Sequence, residues 1–188
     1  MSDAAERVAI VTGGAQGVGL AISRRLLKEG YRVIIADRKA SEALPEGLGE
    51  RSVIADVDVT ERDQVEALVA LIIQRFEGID VLVNGAGLFS SLRRQRFDQI
   101  PVEEWRHVFA VHVEGVWHCC SAVAARMKSA RAGSIINIAS ASAFSGNPDL
   151  LPYVTSQGAV LTMTACLSRG LGEFAIRVNA VAPGLVSG

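Results

Sequence analysis

Charge of one sign is missing from this sequence: 19 Lys and Arg stand against 20 Asp and Glu, leaving −1 over 188 residues. A nucleic-acid partner needs a basic balance, so the near-neutral charge excludes that class. Cysteine is scarce. The three are Cys119, Cys120 and Cys166, an odd number with two adjacent and no Cys-x-x-Cys pair. That excludes a disulfide framework and a zinc site, and no metal is expected. Buried thiols in a reducing cytoplasm are the reading that remains. Met1 to Glu6 lacks the positive start and the apolar stretch of a signal peptide. Long hydrophobic runs are lacking too. The one uncharged window of membrane-crossing length, Leu150 to Ser168, carries Pro152, Tyr153, Thr155, Ser156, Gln157, Thr162, Thr164 and Ser168. It reads as a buried helix, and no membrane association is expected. No linker, internal repeat or low-complexity tract divides the chain, so residues 1–188 read as a single domain. An apolar share of 49% is enough for a real core at this length without staples.

What the sequence does have is alternation. Apolar runs of strand length alternate with helical stripes from end to end, the pattern of a parallel sheet with crossover helices. Strands are expected at Val8–Thr12, Arg32–Ala36, Ser52–Val57, Val81–Asn84, Ser134–Ile138 and Arg177–Ala182. A helix with Val18, Ala21, Ile22 and Leu26 inward joins the first two and ends at Gly30. Thr60 with Asp63 resembles a capping box ahead of a helix striped by Val65, Leu68, Val69, Ile72 and Phe76, and Gly78 stops it. A long helix from about Val102 to Met127 puts Trp105, Val108, Phe109, Val113, Val116, Trp117, Cys120, Val123 and Met127 on one side. A further helix begins near Tyr153 and turns Val160, Met163, Leu167 and Leu171 inward. Right-handed crossovers make this an α/β fold with a doubly wound parallel, Rossmann-like sheet. Ligands are expected at the carboxyl ends of the strands, where the strand order reverses.

After the first strand comes Thr12-Gly13-Gly14-Ala15-Gln16-Gly17-Val18-Gly19, which opens a helix and so fits a phosphate-binding turn. Glycines let the backbone approach a pyrophosphate, and the helix N-terminus supplies N–H groups and partial positive charge. The Gly-x-x-x-Gly-x-Gly spacing differs from the standard Gly-x-Gly-x-x-Gly, and tight helix–strand packing alone would use the same glycines. Asp37 adds the acid that binds both ribose hydroxyls of an adenosine. It ends the second strand, 18 residues beyond Gly19. It also repels a 2′-phosphate, which favours NAD over NADP, while the adjacent Arg38 pulls the other way. Asp56 and Val57, at the end of the third strand, stand where an adenine contact is expected; a solvated strand-end acid reads equally well.

These residues resemble the short-chain dehydrogenase/reductase family, and later segments extend the match. Asn84-Gly85-Ala86-Gly87 is similar to the family's Asn-x-Ala-Gly after the fourth strand. Ser140, thirteen residues before Tyr153, matches its catalytic Ser and Tyr. Arg177-Val178-Asn179-Ala180-Val181-Ala182-Pro183-Gly184 resembles its final strand and Pro-Gly turn. The resemblance runs from about Glu6 to the last residue. It implies an oxidoreductase that interconverts an alcohol and a ketone or aldehyde by hydride transfer with a nicotinamide. Tyr153 would move the proton at the substrate oxygen, and Ser140 would polarise that oxygen. The implied cofactor site comprises Gly13, Gln16, Gly17, Val18, Gly19, Asp37, Asp56, Val57, Asn84, Ala86, Gly87, Tyr153, Gln157, Pro183, Gly184 and Val186. The helices from Val102 and Tyr153 resemble the family's dimerisation helices, so a homodimer or homotetramer is expected.

Two positions depart from the family pattern. Where the resemblance implies a Lys one turn after the Tyr, the sequence has Gln157; where it implies an Asn in the long helix, it has His112. A free phenol has a pKa of about 10, leaving roughly one part in a thousand ionised at pH 7. A cation about 5 Å away, at an effective dielectric near 20, favours the phenolate by on the order of 3 kcal/mol, about two pKa units. Gln157 supplies no such charge, although its amide is able to hydrogen-bond a ribose hydroxyl. The expectation is a slow or alkaline-shifted enzyme; the alternative is a dinucleotide-binding protein without useful catalysis, a sensor or assembly subunit. His112 is either a relocated proton relay or a hydrogen-bonded histidine within the helix stripe. Arg93, Arg94 and Arg96 near the expected substrate mouth suit a carboxylate or phosphate, or simply a solvated surface. Phe144, Leu150 and Leu151 would wall an apolar pocket. Family members continue beyond the Pro-Gly turn with a covering segment and a seventh strand. A Thr is implied where this sequence has Gly188, next to Ser187, so the portion after the sixth strand is expected to be missing.

Overall fold

The computed structural model describes residues 6–41, 47–89 and 91–186. Six parallel strands form one sheet: β1 (Val8–Thr12), β2 (Arg32–Asp37), β3 (Ser52–Asp56), β4 (Val81–Asn84), β5 (Gly133–Ile138) and β6 (Ile176–Val181). Their order is β3-β2-β1-β4-β5-β6, the doubly wound, Rossmann-like arrangement. β1 is interior and every one of its residues is buried. Its alternate side chains feed two cores. Val8 and Ile10 join the layer of α2 (Arg62–Phe76), α4 (Gly115–Ala130) and α6 (Leu151–Leu171), while Ala9 and Val11 pack with α1 (Gly17–Lys28) on the other face. The strand order reverses between β1 and β4, where Thr12 lies opposite Asn84. The loops leaving β1 and β4 therefore emerge side by side, and β5 pairs with β4 next to them.

Several helix details differ from the sequence expectation, each for a physical reason. In α1 the buried residues are Gly19, Ser23 and Leu27, while Val18 and Ala21 are exposed and Ile22 and Leu26 only partly buried. The helix approaches the turn so closely that a Cβ on Gly19 would lie 2.0 Å from Gly13 O, so its small face must turn inward. The Thr60–Asp63 capping box does not form. Thr60 Oγ1 donates to Asp58 Oδ1 (2.7 Å), the Gln64 side chain accepts from Asp58 N–H (3.0 Å), and Glu61 takes the cap position.

The long helix is interrupted. Between α3 (Val102–Phe109) and α4 lies a π-helical turn, Ala110–Glu114. The extra residue in that turn rephases the buried stripe, bringing Val111 and His112 inward and leaving Trp117 exposed beneath the Arg62 guanidinium. α6 buries Pro152, Ser156, Gln157, Val160, Thr164 and Leu171, but its opposite face, Cys166 included, is exposed, so it is a half-buried helix and not a buried one. Val102–Ala130 and Pro148–Phe174 are both long and apolar enough to cross a membrane by length and composition; each buries part of that apolar surface within the fold. Cys119 and Cys120 are buried, and burial pushes both thiols up, Cys120 to about 12, which keeps them protonated. Ser187 and Gly188 lie outside the described residues.

Candidate active site

The turn after β1 is held to its neighbours by backbone. Gly13 has φ +64°, and a Cβ there would meet Gly85 O at 2.6 Å and Ala86 Cα at 2.7 Å. The two loops at the strand-order reversal thus touch directly, and Thr12 Oγ1 ties them by accepting from Gly85 and Ala86 N–H (3.1 and 3.3 Å). Gln16, the N-cap of α1, makes no side-chain capping bond, and the first turn of Gly17, Val18 and Gly19 holds no acidic residue. Such a helix end presents N–H groups and positive partial charge to an anion. Asp37 stands beside it, its Oδ2 accepting from Ala15 N–H (3.3 Å) and its Oδ1 from Arg38 N–H (2.8 Å). Asp56 is engaged instead by Ser41, through its backbone N–H (2.9 Å) and its hydroxyl, and those bonds hold its carboxyl below the usual range. Val57 is buried and its N–H donates to Asp37 O (2.9 Å), extending the β2–β3 pairing.

Tyr153 lies in the first turn of α6, with its ring 5.3 Å from Phe89 and 5.6 Å, edge-on, from His112. Ser140 follows β5; its hydroxyl accepts from Ser142 N–H (3.2 Å) and lies 2.8 Å from Ser142 Oγ. The same loop is joined to the end of β6, where Ala141 N–H donates to Pro183 O (2.9 Å), while Gly184 and Val186 are exposed. The π turn aims His112 between these segments: Leu88 N–H donates to its Nε2 (2.8 Å), and its Nδ1 lies 2.8 Å from Ser156 Oγ and 3.4 Å from Gln157 Nε2. Both ring nitrogens are therefore occupied. Burial pushes the His112 pKa from 6.5 to about 4, so the ring is neutral at physiological pH.

A sequence profile described as short chain dehydrogenase matches residues 7–188. The chain belongs to this short-chain dehydrogenase family. An uncharacterized oxidoreductase of Mycobacterium bovis is 37% identical over 184 residues, covering 96% of this chain and 73% of the relative. Among solved structures, an NAD+-bound xylitol dehydrogenase superposes with a TM-score of 0.91 at 30% identity, over 99% of this chain and 73% of that one. ElxO with NADP bound gives 0.89 at 26% identity, over 97% and 75%.

Within this short-chain dehydrogenase, some candidate residues converge on the carboxyl edge and others sit behind it. The Gly13–Gly19 turn and Ala86–Gly87 lie on the two loops at the strand-order reversal, Asp37 ends β2 beside the turn, Ser140 and Pro183 follow β5 and β6, and Tyr153 starts α6. Asn84 does not face the edge: its Nδ2 donates to Asn137 Oδ1 (2.8 Å), whose Nδ2 donates to Thr164 Oγ1 (2.8 Å), which donates to Val160 O (2.8 Å). That buried chain of bonds fixes β4, β5 and α6 to one another. The bonds made by Asn137, Ser142 and Ser156 have no signature in the sequence, because a lone Ser or Asn near a strand or helix end carries no pattern of its own. Arg96 is paired with Asp98 (3.1 and 3.0 Å), whereas Arg93 lines a shallow groove with Leu92, Glu104, Leu150, Pro152 and Tyr153. Phe144 is 77% exposed, and Leu150 is buried. The residues present fit a dinucleotide. The uncapped α1 end suits the diphosphate, Asp37 stands at its rim, and the buried Gln157 amide has one end with no protein partner.

Proposed function

We propose that the protein is an NAD-dependent oxidoreductase that interconverts an alcohol and a ketone or aldehyde. What supports the reading is an uncapped glycine turn beside Asp37 at the strand-order reversal, with Ser140 on the loop that follows β5 and Tyr153 in the first turn of α6. Gly13, Gln16, Gly17, Val18 and Gly19 would hold the diphosphate, and Asp37 the adenosine ribose. Ala86, Gly87, Pro183, Gly184 and Val186 would border the nicotinamide half, with Tyr153 and Gln157 reaching its ribose. Asn84 contributes from behind, by fixing the strand that carries Ala86 and Gly87. Asp56 and Val57 hold the β2–β3 edge near the adenine end. When bound, the nicotinamide supplies or accepts the hydride. Tyr153 gives its phenolic proton to the carbonyl oxygen in reduction and takes the hydroxyl proton in oxidation, and Ser140 donates a hydrogen bond to that same oxygen. Asp37 supports NAD over NADP, although structural neighbours include an NADP-bound protein as well as NAD-bound ones.

Neither Gln157 nor the neutral His112 brings positive charge to the Tyr153 turn, so alcohol oxidation is expected to run best at alkaline pH. That same observation favours a second reading, a dinucleotide-binding protein with little turnover. The exposed face of α6 and the exposed Trp117 on α4 support a homodimer or homotetramer, and free thiols suit a reducing cytoplasm. The deciding experiment pairs coenzyme titration with a screen of alcohols and ketones from pH 6 to 10. Turnover that falls about a thousandfold in Tyr153→Phe with coenzyme binding unchanged supports the enzyme. Binding without turnover throughout supports the second reading, and no binding of either coenzyme refutes both.

A further inference from the structure

The two positions where this chain leaves its family pattern touch each other, with Gln157 Nε2 lying 3.4 Å from His112 Nδ1. The proton on the imidazole is fixed from both sides. Leu88 N–H donates to Nε2, so Nε2 holds its lone pair. Ser156 donates its hydroxyl proton to Tyr153 O (2.7 Å), which makes its Oγ an acceptor for Nδ1. The neutral ring therefore carries its hydrogen on Nδ1. An Nδ1–H has nothing to offer an amide NH2. Amide oxygen and nitrogen are interchangeable in shape, so the end of Gln157 that faces the ring is its oxygen, and the NH2 takes the other end. That other end has no protein partner, although Gln157 is only 6% exposed.

We infer that His112 orients the Gln157 amide so that its NH2 donates to a ribose hydroxyl on the nicotinamide side of the bound coenzyme. His112 is then a positioning residue, and the pair is a neutral substitute for the ammonium implied by the family. The inference rests on the dinucleotide site proposed above. It also makes restoring the Lys alone a poor repair. An ammonium at position 157 has only donors, and it would face Nδ1–H with no acceptor; an Asn at 112 would offer a carbonyl.

The test is the dissociation constants of NADH and NADPH, read by nicotinamide fluorescence from pH 6 to 9. The proteins are the parent, Gln157→Lys, His112→Asn and the double variant. Gln157→Lys is expected to weaken the better coenzyme about tenfold, the cost of one unpaired buried donor. The double variant should return to within about threefold of the parent. Tighter binding by Gln157→Lys, or strictly additive effects, would overturn the inference. A measurement on the parent alone covers variants that misfold: ¹⁵N NMR should find the His112 proton on Nδ1, and a proton on Nε2 refutes the orientation argument. A parent that binds neither coenzyme refutes the proposed function; a parent that binds, with additive variants, refutes this inference alone.

Discussion

Acid should loosen this fold through one ring. His112 is 2% exposed, and burial lowers its pKa from 6.5 to about 4. Between those values the unfolded chain binds a proton that the native ring refuses, because protonating Nε2 would set it donor-to-donor against Leu88 N–H. The unfolded state holds more protons in that window, so stability falls as pH falls. The contribution is complete above pH 6.5, reduced by about 2 kcal/mol at pH 5, and lost to the extent of about 3 kcal/mol by pH 4. The assay is urea unfolding at pH 8 and pH 5 for the protein and for His112→Asn. The Asn amide is polar, as the imidazole is, but does not titrate. Other ionisable groups cancel in the comparison, so the stability gap between the two proteins should shrink by about 2 kcal/mol between pH 8 and pH 5. A gap that is constant with pH would refute the claim that this ring is held neutral by its surroundings.

Three further perturbations probe the same edge of the sheet. Gly19→Ala places a Cβ 2.0 Å from Gly13 O; a loss of about 3 kcal/mol in thermal or urea unfolding is expected, with coenzyme binding lost, and an unchanged melt counts against the close approach. Asp37→Ala removes the acceptor for Ala15 N–H and the acid at the ribose position; the NADPH-to-NADH affinity ratio should rise at least about tenfold, and an unchanged ratio would remove Asp37 from coenzyme selection. Asn137→Ala breaks the buried chain from Asn84 to Thr164. Urea unfolding should register about 2–3 kcal/mol, and a loss below about 1 kcal/mol would show that the chain of bonds is not what fixes β4 to α6.

The sheet was legible because its strands are apolar runs bounded by turn residues, and β1 and β4 fall where the pattern places them. Helix faces were less so. Periodicity ranks residues by hydrophobicity, but α1 docks through Gly19 and Ser23, whose value lies in their small size. In the long helix an evenly spaced stripe hid a π turn, since a change of phase of one residue leaves most of the same apolar side chains near the core. The candidate site divides in the same way. The glycine turn stands out as a strand-to-helix motif, and Ser140 and Tyr153 through the resemblance to the family. Partners such as Leu88 N–H, Ser142 and Ser156 come from segments far apart in sequence, and only the fold brings them together.

The departures at 112 and 157 also gain meaning from contact. Read separately, each removes a group that the family pattern supplies, and the pair suggests a site losing its chemistry. Decay of that kind leaves buried polar atoms orphaned, at a cost of about 1–3 kcal/mol each. Yet the imidazole has partners on both nitrogens, and they lie on two segments packed against the π turn: the loop after β4 and the first turns of α6. Its proton position then dictates what neighbour it tolerates, and an amide oxygen satisfies that demand where an ammonium does not. One end of Gln157 is left open, on the helix turn that follows Tyr153. A ligand donor or acceptor would complete that open end, which favours retained coenzyme binding whether turnover is fast or slow.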